Sequence, residues 1–517
     1  MPGMARGGTG TDAAGHPAPA ARRFELAGVL LAAVVAGTLL FLGRSRVVED
    51  AYITYRHAQN LLLGRGFVFN PGEAVLATTS PGHGLLLALL GLISPNIPLN
   101  ALLISWCALV ACSIALYRIS KHAGVPVAGA VSSAMLLCYS GTYSNYSLET
   151  LLLTALLLLS FHMAQLKRWA PLACYGAAAM VVRADAALLL GVVHGALLIS
   201  AVREKRHAEL RAQLYSVLLG AALVSPWFVF SLLKYGSLFS HTASAKTGWT
   251  NHEMYFLSQL WDRCGGTIVP RQLFASVASV ILATLGFARC WFVPERRFLL
   301  LLPAWAAVYV ATYTAMRIFW PHTWYYYPLY AVLCLGFALG LDALRSLLAH
   351  GVRALGRSPS RAKAVAWGTS ATLLTALLSL HLVNLARSDA EMTRRWFGEG
   401  RRTLYEEFAR WLANNPGRCQ RIASLEVGMV AYLSDRVMID RMGLATPAAA
   451  AEMKRTQARN TSVIWTQREF SPDCFLIAGS APLIIPAELG ASDRYRLVDP
   501  PFVHHESHSA LIVYERR

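Results

Sequence analysis

Charge is scarce in this chain. Of its 517 residues 15% are charged, whereas 55% are hydrophobic. Soluble globular domains carry about a quarter of their residues as charges. The composition therefore argues against a soluble globule and for a polytopic membrane protein. Other signals are absent too. The nine cysteines have no paired spacing of the kind that holds zinc. His57, His83, His241 and His322 are scattered, with no His-x-x-x-His pair. No Gly-x-Gly-x-x-Gly opens a helix after a strand, so no nucleotide-binding fold is visible. There is no internal repeat of the kind transporters use.

The formal charge is +18. Its Lys and Arg residues gather in short loops between apolar runs, which is the positive-inside pattern of membrane proteins rather than a nucleic-acid footprint. Cys107, Cys112, Cys138, Cys174, Cys290 and Cys334 lie in apolar runs and read as core filler. Cys264, Cys419 and Cys474 lie in polar segments. A Cys419–Cys474 disulfide is left open, allowed where that region faces an oxidising compartment.

The apolar runs organise the rest. Residues 1–23 are Gly-, Ala- and Pro-rich and read as a disordered cytoplasmic tail. About eleven spans follow, at 26–43, 99–117, 124–140, 149–166, 169–182, 187–202, 213–233, 273–291, 298–315, 324–343 and 364–385. Gly84–Ile93 is apolar but short. Counting it as a span would put later basic loops on the wrong side, so it is placed at the interface. The result is a mostly α fold: a transmembrane domain over 24–388 and a small extracytoplasmic α/β domain over 389–517. In that tail domain Arg402–Asn414 has helical periodicity, and Arg421–Leu425, Val437–Ile439, Cys474–Ala478 and Ala510–Tyr514 read as strands.

The polar segments that share the outer side carry the candidate chemistry. The first loop, 44–98, opens on Glu49-Asp50 at the mouth of the first span. Adjacent carboxylates repel, and an ionised one can take a proton from an attacking hydroxyl. The same pair would serve as a helix cap or interfacial anchor, or hold a divalent cation, though the sequence requires no metal. Tyr52, Tyr55 and Arg56 follow, then the turn former Asn70-Pro71-Gly72. Arg56, Arg183, Lys246 and Arg317 are the outer cations able to meet a phosphate. Each has a plainer role available, as an interfacial ion pair, a solvated loop residue or a snorkelling side chain. Trp320, His322, Trp324, Tyr325, Tyr326 and Tyr327 form either an interfacial aromatic belt or a sugar-stacking surface.

Taken in order, these elements resemble the membrane glycosyltransferases of the GT-C superfamily, in particular the arabinofuranosyltransferase-like branch. The resemblance rests on Glu49-Asp50-Ala51-Tyr52-Ile53 with Arg56, Gly64-Arg65-Gly66, Phe69-Asn70-Pro71-Gly72-Glu73 and Thr79-Ser80-Pro81. It continues through Ser147-Leu148-Glu149-Thr150, Ala245-Lys246-Thr247-Gly248 and Trp324-Tyr325-Tyr326-Tyr327-Pro328. Val182-Arg183-Ala184-Asp185 also fits, with Ala184 where the family has proline. In the tail domain, Glu426-Val427-Gly428 and Asp440-Arg441-Met442-Gly443-Leu444 match.

The resemblance implies a polyprenyl-phosphate sugar donor, an extracytoplasmic glycan, lipid or protein acceptor, and inversion at the sugar. It implies Asp50 as general base supported by Glu49. The donor phosphate would meet Arg183, Lys246, Arg56 and Arg317. Substrate would meet Tyr52, Tyr55, Glu149, Asp185, His322 and Tyr325. The expected location is a bacterial inner or plasma membrane. The alternative is a transporter, flippase or regulatory protein for lipid-linked sugars that performs no chemistry.

Overall fold

The computed structural model describes residues 19–42, 48–139, 142, 145, 147–249, 255–263, 270–318, 322–395, 399–480, 489, 493–498, 502–504 and 509–517. Most of the expected tail at 1–23, Cys264 and Trp320 lie outside these residues.

Helices run in chain order as α1 (Pro19–Leu42), α2 (Ala51–Leu62), α3 (Pro81–Gly91), α4 (Ile97–His122), α5 (Pro126–Cys138), α6 (Thr150–Gln165) and α7 (Trp169–Val182). They continue as α8 (Ala187–Arg203), α9 (His207–Tyr235), α10 (His241–Lys246), α11 (Tyr255–Arg263), α12 (Pro270–Phe292), α13 (Leu301–Ala315), α14 (Thr323–Ala354) and α15 (Pro359–Arg395). Every expected span falls on one of these helices. By length and composition five stretches suffice to cross a membrane: α4, α9, α14, and the segments Ala184–Arg203 and Pro294–Ala315 that contain α8 and α13. Shorter apolar helices accompany them. The chain is an integral membrane protein.

Local chemistry explains the helix ends. The Asn96 side chain accepts from the Leu99 N–H (3.1 Å) and Pro98 sits in the first turn of α4, while Lys121 and His122 close it. Helix α9 leaves Leu218, Leu223, Phe230 and Leu233 exposed, as lipid contact requires. Gly84–Ile93 falls on α3 and the turn after it, where Leu89, Leu92 and Ile93 are exposed.

The tail domain is α/β. It contains α16 (Glu399–Asn414), β1 (Arg421–Ser424), α17 (Gly428–Ser434), β2 (Val437–Asp440), α18 (Pro447–Thr456), α19 (Val463–Phe470), β3 (Cys474–Ser480), β4 (Tyr495–Leu497), β5 (Phe502–His504) and β6 (Ser509–Arg516). The sheet order is β2-β1-β3-β6-β4, with β5 also paired to β6. β1 pairs in parallel with β2 and β3, and β6 runs antiparallel to β3. Cys419 and Cys474 are disulfide-bonded, with Cα atoms 5.2 Å apart.

One apolar core runs from the first loop into this domain. Val48, Tyr52, Tyr55 and Phe69 pack in the same cluster as Tyr405, Phe408, Ile422, Met438 and Val513. The tail domain therefore sits on the first loop as part of one packed unit, not as an appendage on a linker.

Candidate active site

The first loop is fastened to the tail domain at several points. Asn70 imitates a strand neighbour: its Nδ2 donates to the Met438 carbonyl (2.9 Å), and the Met438 N–H donates back to its Oδ1 (3.1 Å). The Met429 N–H donates to Glu49 Oε1 (3.0 Å). Gly428 allows that approach, because a Cβ there would lie 2.5 Å from the Glu49 carbonyl oxygen. Burial, then Glu426 and Asp50, push the Glu49 carboxyl well above its ordinary range, against the pull of the Met429 and Gly428 N–H groups.

Asp50 stands at the start of α2, and its side chain makes no cap hydrogen bond to the helix. It lines a small cleft of about 40 Å³ with Thr54, Thr78, Ser80, Glu149, Lys246 and Tyr325. The tail domain contributes Leu444 to that cleft. Leu444 is placed by Asp440, whose carboxylate accepts from the N–H groups of Met442 (2.7 Å) and Ala445 (2.8 Å). Burial raises Asp440 to about 6, despite those N–H groups.

A second, larger cavity of about 500 Å³ adjoins the cleft. Leu76, Met180, Leu188, Trp227, Leu238 and Phe239 make much of it apolar, whereas Arg183, Asp185 and Lys246 make one part charged. Thr78, Thr79, Lys246 and Tyr325 line both spaces. Gly82 brings α3 onto the end of α7: a Cβ there would lie 2.8 Å from the Val182 nitrogen, next to Arg183.

Arg183 is buried and engaged at all three of its nitrogens. Its Nη1 donates to Glu149 (3.0 Å), its Nε and Nη2 to Asp185 (3.3 and 3.1 Å), and Nη2 also to the Tyr313 hydroxyl (3.1 Å). Tyr313 in turn donates to Asp185. Lys246 ends the short helix α10. That helix is pinned to the first loop by the His241 N–H, which donates to the Leu76 carbonyl (2.9 Å), and to the tail domain by Lys454, which donates to the Ser244 carbonyl (2.6 Å). Burial opposes the charge on Lys246, but Tyr325 and Asp50 outweigh it and hold the ammonium above its ordinary range.

The structure thus brings together Asp50, Glu149, Arg183, Asp185, Lys246 and Tyr325, with Glu49 beside them. The remaining candidates lie elsewhere. Arg56 points into the tail-domain joint, donating to Asp435 (2.6 Å), Gln59 (2.9 Å) and the Phe69 carbonyl (3.3 Å). Arg317 is exposed and lines neither space, although its neighbours Met316 and Ile318 do. Tyr52 and Tyr55 pack edge-on against each other (4.9 Å between centroids) and against Tyr432. His322 stacks on Trp324 (4.2 Å), which lines the cleft. Tyr313 and Thr78 were not singled out by the sequence, and Leu444 entered only as the end of a tail-domain motif. Tyr309 and Tyr313, one turn apart on a span, were the available signal for the first.

His57 is structural. Its Nδ1 lies 2.8 Å from the Ile53 carbonyl, and the Ala77 N–H donates to its Nε2 (3.3 Å). Burial lowers its pKa to about 4, in keeping with a neutral ring. Cys419, Cys474 and Glu515 bring sulfur and oxygen atoms together. The sulfurs form a disulfide and Glu515 is paired with Arg418 and Arg496, so that cluster lacks the thiolates a metal would need.

In solved structures, ArnT from Cupriavidus metallidurans bound to undecaprenyl phosphate is similar over 94% of this chain and 97% of its own, with TM-score 0.61 and 11% identity. The chain has the GT-C fold. Two structures of the Archaeoglobus fulgidus oligosaccharyltransferase share this fold. One is tethered to an acceptor peptide (TM-score 0.54, 12% identity, 88% of this chain and 69% of that one). The other is in complex with an inhibitory peptide and a dolichol-phosphate (TM-score 0.51, 12% identity, the same coverage of 88% and 69%). These GT-C neighbours do not single out the arabinofuranosyltransferase-like branch. A family model described as a domain of unknown function (DUF8728) matches residues 391–511, within the tail domain. A search of curated proteins gave no match.

Proposed function

We propose that this protein is a membrane glycosyltransferase that moves a sugar from a polyprenyl-phosphate carrier to a hydroxyl on an extracytoplasmic glycan, lipid or protein. The observation that carries the reading is the shared wall of the two spaces. An apolar cavity with a charged part suits an isoprenoid phosphate, and across Lys246 and Tyr325 lies a cleft with a carboxylate. The solved neighbours that hold undecaprenyl phosphate or dolichol-phosphate on this fold support it. The disulfide in the tail domain supports an oxidising, non-cytoplasmic side.

The chemistry is a direct displacement. The acceptor oxygen attacks the anomeric carbon while Asp50 takes its proton. The carbon–oxygen bond to phosphate breaks, and the electron pair leaves with the phosphate. Attack opposite the leaving group inverts the sugar. The cationic part of the cavity stabilises the charge that develops on the phosphate. Glu49 and Asp50 also present the hard oxygen donors a divalent cation takes. A chelator added to the assay tests whether the displacement needs one.

The test is Asp50→Asn in purified protein supplied with polyprenyl-phosphate sugars. The variant is expected to fold and bind donor, with transfer reduced by about 10²-fold or more. Wild-type turnover in the variant would remove Asp50 from the base role. A transporter without chemistry would consume no donor in either protein.

A further inference from the structure

The far ends of the spans hold a second cluster of arginines, which glycosyl transfer does not use. Helices α12 and α14 meet backbone to backbone: a Cβ on Gly286 would overlap the Gly336 carbonyl oxygen, and one on Gly340 the Leu282 carbonyl. That contact sets the end of α12 beside residues 342–346 of α14, where Arg289 Nη2 donates to Ser346 Oγ (3.0 Å). Tyr325, at the Asp50 cleft, and Asp342 lie 17 residues apart on α14, which is about 25 Å at the rise of an α-helix. A bilayer's hydrocarbon core is about 30 Å thick, so the cluster belongs to the opposite membrane face.

Four arginines and two carboxylates stand here, and their charges do not cancel. Arg296 and Arg345 share Asp342 (3.0 and 2.6 Å). Glu295 is exposed and pairs with none of the four among the described residues. Arg289 bonds only the neutral Ser346, and Arg297 donates its Nε to the Trp291 carbonyl (3.0 Å). Neither has an ion pair among the described residues. Arg289 Nε is buried without an acceptor, although buried donors nearly always find one. The chain that follows, 347–363, adds Arg353, Arg357, Arg361 and Lys363 and no acid. Beside the arginines, Trp291 and Phe292 are 66% and 79% exposed. Aromatic rings so placed at a span's end suit the headgroup level of a bilayer.

We propose that Arg289 and Arg297 bind the phosphate of an anionic bilayer phospholipid at the junction of α12 and α14. Guanidinium forks match phosphate oxygens, and basic pockets between membrane helices take such headgroups. Trp291 and Phe292 make the ligand a lipid rather than a free anion, because they offer its acyl chains an apolar surface beside the charge. The bound lipid ties the end of α12 to α14 on the face away from the chemistry.

The full-length chain, purified in detergent and stripped of lipid, is titrated with phosphatidylglycerol and with phosphatidylcholine of the same acyl chains, and occupancy is read by native mass spectrometry. The wild type is expected to bind phosphatidylglycerol about tenfold or more tightly. Arg289→Gln with Arg297→Gln is expected to lose most of that preference, with phosphatidylcholine binding unchanged as the sign of an intact fold. Arg357→Gln with Arg361→Gln removes the same charge from the adjoining loop and is expected to keep the preference. If the first pair does not fold, Arg297→Gln alone, at an exposed position, is read in its place, with an expected loss of about threefold or more. Equal binding of the two lipids by the wild type overturns the inference. So does an equal loss in the two paired variants, since the attraction is then the diffuse field of the basic loops. So does an unchanged preference once Arg297, or Arg289 with it, is replaced. Inorganic phosphate in large excess is expected to leave the bound lipid in place, and displacement by it would overturn the assignment to a lipid. None of these outcomes bears on the Asp50 site, which donor turnover tests separately.

Discussion

The joint between the first loop and the tail domain, and the cluster at the larger cavity, are both built from arginine and carboxylate, but only in the second are the carboxylates largely buried. At the joint Arg56 and Arg65 converge on Asp435; the Asp435 side chain is 48% exposed, although that of Arg56 is fully buried. At the cavity the side chains of Arg183, Glu149 and Asp185 are 8%, 6% and 13% exposed. Water reaches Arg65 and Asp435, which weakens their pairing. In the second the cation and both carboxylates are largely buried, so each member depends on the others. An ion pair open to solvent can be a fastening. A closed one fixes where a reacting group stands.

The largest expected contrast comes from removing the cation at each place. Arg183→Ala leaves two largely buried carboxylates without their cation, Asp185 keeping only its tyrosine hydroxyls, and should cost about 3–5 kcal/mol in denaturant unfolding. A variant as stable as the wild type would show that water reaches the cluster. Next is the backbone side of the joint. Gly428→Ala sets a methyl against the Glu49 carbonyl, and neither backbone can yield easily. A cost of about 1–3 kcal/mol is expected, with loss of transfer as the Glu49–Asp50 corner moves. Normal stability and activity would show that this contact is slack.

A smaller effect lies in pH. The folded pKa of His57 is about 4, below its ordinary 6.5, so its contribution is present above pH 6.5 and lost as pH falls towards 4. Its share of the slope is about 1.4 kcal/mol per pH unit in that window. His57→Gln should flatten it, which parallel stability curves for the two proteins would refute. Smallest is Asp435→Asn, expected to cost about 1 kcal/mol or less and to matter less still at high salt. A loss as large as that of Arg183→Ala would abolish the distinction between the two regions.

These two regions also show what a sequence can and cannot disclose. Long apolar runs mark the membrane helices because lipid demands that pattern along the chain itself. The strands around Arg421, Val437, Cys474 and Ser509 are legible for the same local reason. Arg56 and Arg183 look equally suited to phosphate in their motifs. Their fates are decided by partners the motifs do not contain: Asp435 lies 379 residues from Arg56, and Tyr313 lies 130 from Arg183. Leu444 reaches the cleft only because the tail domain packs on the first loop. The spacing of Cys419 and Cys474 left their pairing open, and the fold closes it by bringing the turn before β1 against the start of β3.

The account stands on one site in which Lys246 meets the phosphate and Asp50 meets the acceptor. A structure of the protein with a polyprenyl-phosphate sugar bound tests it most directly. The account predicts the isoprenoid along Met180, Leu188 and Trp227, the phosphate on Lys246, and the sugar turned towards Asp50. A phosphate bound away from Lys246, or a sugar on the far side of the Arg183 cluster from Asp50, would contradict it.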